Sequence, residues 1–274
     1  MSVIKNNPLV SIVVALYNSE RYIEETIDSV LRQSYDNFEL IIVDDNSTDC
    51  SALIVDRFIK LDSRVRLISL KKNSGGPAKP RNIGINESKG EFIAFLDSDD
   101  VWKENKLSIQ ISKMSTTDVM SFTGVDIIDA DGVNKARFFY DWLRMMVVEK
   151  IAAKGLRGIL VLNPVPLSTV LLRAKHIKSF RFDEDVYMHA IEDYGMWLMI
   201  YKCFPDKILY IKEKLVNYRR HSDGISSCYV KEHIKSVYCV TKFYLFTDKY
   251  EYLVWFLLGQ FIRTFKVVIG RIRN

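Results

Sequence analysis

Residues 39–49 read ELIIVDDNSTD. Leu40 to Val43 are apolar and mostly β-branched, with no polar residue between them. A strand covered on both faces reads as such a continuous run, whereas a half-exposed strand alternates. Asp44 and Asp45 close the run, and Asn46-Ser47-Thr48-Asp49 turns the chain toward a helix over Ser51 to Leu61. The stretch therefore predicts a buried strand that ends in carboxylates and feeds a helix.

The same unit recurs on both sides. Upstream, Leu9 to Leu16 (LVSIVVAL) is a second buried strand, followed by Asn18 and Ser19 as cap residues. Tyr22, Ile23, Ile27, Val30 and Leu31 then recur at helical spacing. Downstream, Val65 to Leu70 is a strand, KKNSGGPAKPRN a loop by its Gly and Pro content, and Pro80 to Ser88 a helix stopped by Gly90. Glu91 to Leu96 is the fourth strand and runs into Asp97, Asp99 and Asp100. Strand and helix in this alternation imply right-handed βαβ units and a parallel sheet, hence the α/β class. Ligands of such sheets bind outside the carboxyl ends of the strands. Here those ends carry Asn18, the pair Asp44 and Asp45, and the cluster from Asp97 to Asp100.

The second half is less regular. The patterns predict a helix over Lys103 to Met114, a strand over Val119 to Asp129, helix over 138–160, and a strand over Ile208 to Tyr218. NPVPLSTVLLRAKHI reads as loop, strand and short helix, and IEDYGMWLMIYKCF as a helix that starts on Glu192 and Asp193. No internal repeat or low-complexity linker separates a second independently folded domain.

Bulk properties narrow the function. The 274 residues carry a formal net charge of only +5, too mild to indicate nucleic acid. Cys50, Cys203, Cys228 and Cys239 form no CxxC pair, which suits a reducing compartment better than a disulfide or zinc framework. The N-terminus reads as a first core strand and not as a signal peptide. No stretch reaches the roughly 18 to 20 apolar residues that span a bilayer. The tail YLVWFLLGQFIRTFKVVIGRIRN is different: aromatic and apolar first, then basic at Arg263, Lys266, Arg271 and Arg273. That composition fits a helix lying in a membrane interface. The structural alternative is a helix docked on the core with a solvated basic face.

Carboxylates two apart at a strand end can hold a hard divalent cation, Mg2+ or Mn2+, while leaving coordination positions for a ligand's phosphates. A solvated helix start after Trp102, capped by Asp99 or Asp100, is the alternative for this DxD pattern. Glu192 and Asp193 likewise suit either a helix N-terminus or proton transfer.

Taken in order, VSIVVALYNSERYIEETIDSVLRQSYDNFELIIVDDNSTD, GGPAKPRNIGINESKGEFIAFLDSDD and IEDYGMWL resemble a family 2 glycosyltransferase of the O-antigen and capsule type. The resemblance covers residues 8–221. It implies the GT-A fold, a Rossmann-like, mostly parallel sheet flanked by helices, with a catalytic domain over 1–225 and a helical, aromatic-basic extension over 226–274. Residues 1–100 would form the nucleotide-binding half and 101–225 the acceptor side. The implied activity is inverting transfer of one sugar from a nucleoside diphosphate donor, UDP-linked, to a saccharide acceptor carried on undecaprenyl diphosphate. The protein would work at the cytoplasmic face of the membrane, held there peripherally by its C-terminal extension.

The resemblance also distributes roles. Asp45 falls at the nucleobase contact with Asp44 beside it, and Leu16, Tyr17 and Asn18 form a loop against the nucleoside. Arg81 stabilises that loop or faces the donor. Asp99 is the implied metal ligand, Asp97 contacts ribose or metal, Ser98 lies between them on the donor side, and Asp100 supports them. Asp193 is the implied base, with Glu192 beside it. Arg219, Arg220 and His221 fall where the family carries a basic loop that closes over the diphosphate, and His221 there would ligate the metal or meet a phosphate. Two departures stand out: Ala15-Leu16 where the family carries proline, and Gly195 where it carries a second aspartate. The rival readings are a non-catalytic nucleotide-sugar-binding subunit and a sugar-phosphate nucleotidyltransferase, and the latter lacks its glycine-rich loop after the first strand.

Overall fold

The apolar runs form strands and the periodic segments between them form helices. In chain order these are β1 (Val10–Leu16), α1 (Ile23–Leu31), β2 (Phe38–Asp44), α2 (Ser51–Leu61), β3 (Val65–Ser69), α3 (Ala78–Glu87) and β4 (Phe92–Asp97). The computed structural model describes residues 7–134, 148–151, 154–221, 229–245 and 252–272. β1 pairs with β2 and with β4, and β2 pairs with β3, all parallel. Both faces of these strands are covered: Ile12, Val13, Val14, Ile41 and Ile42 are at most 1% exposed. Each such side chain contributes about 1.5–3 kcal/mol, which is why the runs lack alternation.

Beyond β4 the chain adds β5 (Val101–Trp102), α4 (Lys106–Lys113), β6 (Met120–Ile128), α5 (Gly155–Val161), β7 (Leu171–Arg173) and α6 (Ala174–Ile177). Then follow α7 (Glu192–Cys203), β8 (Ile208–Arg219), α8 (Tyr229–Leu245) and α9 (Leu253–Ile272). The eight strands among the described residues form one sheet in the order β3-β2-β1-β4-β7-β6-β8-β5. β7 is antiparallel to both β4 and β6, β6 and β8 are parallel, and β5 is antiparallel to β8. The α/β class and the helix-flanked, mostly parallel sheet are as the sequence predicts.

Some local expectations fail. Asn18 and Ser19 do not cap α1 with their side chains; its N-cap is Tyr22 and no side chain bonds there. Neither Asp99 nor Asp100 starts the next helix, because Val101 and Trp102 are drawn into the sheet by β8 and α4 begins only after Asn105. Of the helix expected over 138–160, residues 138–147 and 152–153 lie outside the described residues, and the rest includes α5.

The chain divides into two compact units that interleave along the sequence. The first is Met1–Ala136, Pro166–Arg181 and Lys207–Arg220; the second is Arg137–Val165, Phe182–Asp206 and His221–Asn274. All eight strands belong to the first. In it α3 lies so near β1 that a Cβ on Gly84 would fall 2.2 Å from Val13 Cγ1. The described elements of the second unit are helical, with Trp197, Leu198, Ile200 and Val240 fully buried.

Candidate active site

The parallel register brings the predicted polar groups to one rim of the first unit. Leu16 lies across from Asp44, and Ala15 across from Asp97. After β1 the backbone of Asn18 turns left-handed (φ 46°), a conformation asparagine tolerates better than most residues. Its Oδ1 accepts from the Thr48 amide at 2.8 Å, and its own amide donates to Ser47 Oγ at 3.0 Å. Asp44 Oδ1 in turn accepts from the Ser47 amide at 3.1 Å and from Ser47 Oγ at 2.5 Å. Asn18 and Asp44 thus shape the two strand-end loops against each other, while Tyr17 stands 49% exposed above them.

Asp45 is buried, and both of its carboxylate oxygens are engaged: Oδ1 by the Ser74 amide at 2.8 Å and Oδ2 by Ser74 Oγ at 2.9 Å. Burial pushes its pKa up and the Ser74 bonds oppose this. Asn73 Nδ2 adds a 3.0 Å bond to the Asp45 carbonyl. In the sequence the Asn73–Ser74 segment reads only as part of a Gly- and Pro-rich loop.

At the end of β4, Arg81 Nη2 donates to Asp97 Oδ1 at 2.7 Å, with the arginine side chain 7% and the aspartate side chain 30% exposed. Arg81 therefore orients Asp97 from α3. Ser98 Oγ lies 2.7 Å from Ser19 Oγ. Asp99 is half-exposed, and its carbonyl accepts from Arg219 Nε at 2.8 Å.

Asp100 has a different role. It is 1% exposed; Oδ2 accepts from Ser168 Oγ at 2.5 Å and Oδ1 from the Arg219 amide at 2.8 Å. Burial, reinforced by the Asp99 and Asp97 charges, holds its carboxyl well above the usual carboxylate range. Ser168 Oγ also accepts from the Asp97 amide at 3.0 Å, and the Thr26 hydroxyl contacts the carbonyls of Ser98 and Asp100 at 3.0 and 2.9 Å. The acidic turn is thus braced from inside by α1, by β8 and by the 3-10 turn Leu167–Thr169. Arg219 is consumed in the same framework: Nη2 meets Glu25 Oε2 at 2.5 Å and the guanidinium lies 4.9 Å from the Tyr22 ring centre. Thr26, Ser168 and Glu25 carry no local sequence signal, because their partners lie some seventy or more residues away along the chain. Arg220 is exposed and its amide bonds the Ile128 carbonyl at 2.9 Å; His221 is half-buried and begins the next stretch of the second unit.

In the second unit, Glu192 and Asp193 open α7, where carboxylates complement the helix dipole. Asp193 Oδ1 accepts from the Tyr194 amide at 2.6 Å, and Tyr194 Oη anchors the helix by donating to the Ile159 carbonyl at 2.5 Å.

Among the described residues, no group of three or more His, Cys, Asp or Glu side chains converges to hold a metal ion. The donors present are carboxylate oxygens of Asp97 and Asp99, the hard ligands that Mg2+ and Mn2+ take, and Arg81 already shares one Asp97 oxygen. Such a set fits a cation completed by a ligand's phosphate oxygens and water, not one enclosed by protein.

The family model described as glycosyl transferase family 2 matches residues 11–161. The Escherichia coli protein named UDP-Glc:alpha-D-GlcNAc-diphosphoundecaprenol beta-1,3-glucosyltransferase WfaP is 35% identical over 230 residues, 83% of each chain. TuaG of Bacillus subtilis is 42% identical over 134 residues, 48% of this chain; the match spans about half of that relative, 53%. Among solved structures, the mannosyltransferase PcManGT from Pyrobaculum calidifontis, in complex with GDP-Man and Mn2+, superposes with a TM-score of 0.68 at 17% identity. That superposition covers 96% of this chain and 73% of the other and shows a shared GT-A architecture. With the family match extending over more than half its length, the chain belongs to glycosyl transferase family 2.

Proposed function

We propose that this protein transfers one sugar, with inversion, from a UDP-linked donor to a hydroxyl of a lipid-linked saccharide in surface polysaccharide synthesis. The observation that carries the reading is the rim itself: Asp44 and Asp45 at one strand end, and Asp97 and Asp99 at another, in register, with Arg81 fixing Asp97. Asp45 and the β1 loop would receive the nucleoside, and Asp97 and Asp99 the diphosphate end. The names of WfaP and its acceptor support a lipid-linked substrate. Asp193 takes the proton of the acceptor hydroxyl as that oxygen bonds the anomeric carbon, and the bond to the diphosphate breaks on the opposite face. The chemistry that Mg2+ or Mn2+ supplies when bound is neutralisation of the charge on the departing diphosphate. Arg220, exposed at the end of β8 in the same unit, would add positive charge near the diphosphate.

A panel of nucleotide sugars, assayed for transfer and hydrolysis with and without Mn2+, tests this. We expect one UDP-sugar to respond, with Asp99→Asn and Asp193→Asn each reducing transfer by about 100-fold or more. No response from any donor overturns the reading.

The extension supports attachment at an anionic membrane surface. One face of α9 packs on its own unit: Phe256 stacks on Tyr244 at 4.3 Å, and Gln260 Nε2 bonds Thr241 Oγ1 at 2.8 Å. The opposite stripe, Val254, Leu257, Leu258 and Phe261, is 42–72% exposed at helical spacing. From Leu253 onward the sequence has four Arg and Lys and no acidic residue. No helix among the described residues is long and apolar enough to cross a membrane. α9 would lie in the interface with its stripe among acyl chains, and the basic composition of the segment favours anionic headgroups.

A further inference from the structure

We propose that Tyr187 and Tyr238 form a saccharide-binding platform for the acceptor, on the unit that carries Asp193. The proposal rests on the transferase reading above for the identity of that ligand as an acceptor. Tyr187 projects from the 3-10 turn Val186–Met188 and is 66% exposed; Tyr238 on α8 is 40% exposed. Their ring centres lie 5.8 Å apart at 51°. A tyrosine ring is apolar on its face and polar at its hydroxyl, so a pair of exposed rings suits a ligand that shares both characters.

The surroundings select the ligand. Asp185 Oδ1 accepts from the Tyr187 amide at 2.9 Å, which fixes the turn, and Asp183 Oδ1 accepts from the Asp185 amide at 3.0 Å. Their outer oxygens face one ammonium: Lys242 Nζ lies 2.6 Å from Asp183 Oδ2 and 3.4 Å from Asp185 Oδ2. Tyr238 Oη donates to Asp185 Oδ2 at 3.2 Å. The two rings are therefore bordered by carboxylate acceptors and a lysine donor. A pyranose presents an apolar C–H face ringed by hydroxyls, so the rings can cover the face while the charged groups bond the rim. An apolar partner would strip water from the ion cluster without replacing its hydrogen bonds. A phosphate-rich surface would meet two carboxylates first.

The platform is tied to the base-bearing helix. Met188 is 2% exposed, and its Cε packs against α7 at Gly195, where a Cβ would lie 2.8 Å away. The Ile191 amide bonds the Met188 carbonyl at 2.9 Å, and Lys235 Nζ from α8 bonds the His189 carbonyl at 2.7 Å. Ala190 between them is held left-handed, at φ 74°, a strained conformation for a residue with a Cβ. The six residue steps from Tyr187 to Asp193 span at most about 20 Å, within reach of a short oligosaccharide.

The test uses the full chain and two readouts. Binding of hexose- and N-acetylhexosamine-containing di- and trisaccharides is followed by NMR titration, which needs no turnover. Acceptor KM and donor hydrolysis are measured in parallel. We expect saccharide-dependent shifts that Tyr187→Ala and Tyr238→Ala abolish, and an acceptor KM raised by about tenfold in each with donor hydrolysis unchanged. Tyr187→Phe, which keeps the ring, should stay near the parent. Saccharide binding without any donor activity would leave the platform standing and remove the transferase reading. Shifts unaffected by both alanine variants, or shifts seen with anionic vesicles and not with saccharides, overturn the platform.

Discussion

Ser168 joins three parts of the acidic turn through one hydroxyl and one carbonyl: the Asp100 carboxylate, the Asp97 amide and, through its carbonyl, Trp102 Nε1 at 2.8 Å. Removing the hydroxyl would leave a buried carboxylate oxygen without that donor. Ser168→Ala should therefore cost about 1–3 kcal/mol, read as a lower urea midpoint with an unchanged m-value. A second buried group, Lys106, offers a pH test. Its Nζ bonds Gln110 Oε1 at 2.6 Å and lies 3.9 Å from the Trp102 ring centre. The ring face favours the cation and burial opposes it; burial wins and holds the amine well below the usual lysine range. In the pH interval between the depressed folded pKa and the ordinary value of 10.5, the unfolded chain binds the extra proton. Stability from this site is thus reduced below that interval and rises as pH climbs through it, at up to about 1.4 kcal/mol per pH unit. Lys106→Met should flatten that rise, measured as urea unfolding at a series of alkaline pH values.

At the scale of elements, closeness of packing decides what a position tolerates. Gly84→Ala would place a methyl group 2.2 Å from Val13 Cγ1, with Val13 itself 1% exposed in the sheet. The expected loss is about 1–3 kcal/mol, checked by thermal or urea denaturation. The four parallel strands were legible in sequence because burial on both faces writes an apolar run that needs no partner to be recognised. β5 was not: two residues hold no pattern, and Val101 and Trp102 become a strand only because Asn217 and Val216 pair with them. Helix starts depart from the sequence expectation for a related reason. Asn18, read as a cap, bonds a neighbouring loop instead, because Thr48 stands opposite it once β1 and β2 are in register. The same limit applies to the site. Its carboxylates were visible as strand-end clusters, but the distinction between Asp99, half-exposed, and Asp100, buried, depends on Ser168 and Arg219.

At the scale of the whole molecule, the proposed attachment makes a separate prediction. Replacing Leu257 and Phe261 by Glu puts two charges on the exposed stripe of α9 and should reduce sedimentation with anionic vesicles by about tenfold or more. Because both positions are exposed, at 54% and 68%, the fold should survive, and circular dichroism checks that. Binding unchanged in the variant would remove the membrane reading without touching the family assignment.

The bond from the Arg219 amide to Asp100 also has a consequence in time. The two residues lie 119 positions apart. A ribosome adding about 5–20 residues per second needs on the order of 6–24 s between them. During that interval β1 to β4 are already synthesised, and their parallel pairing can form, but the turn after β4 lacks its final brace. The nascent chain thus carries a completed half-sheet with an immature acidic tip. The acidic turn would take its final form only with β8, as a late event of synthesis.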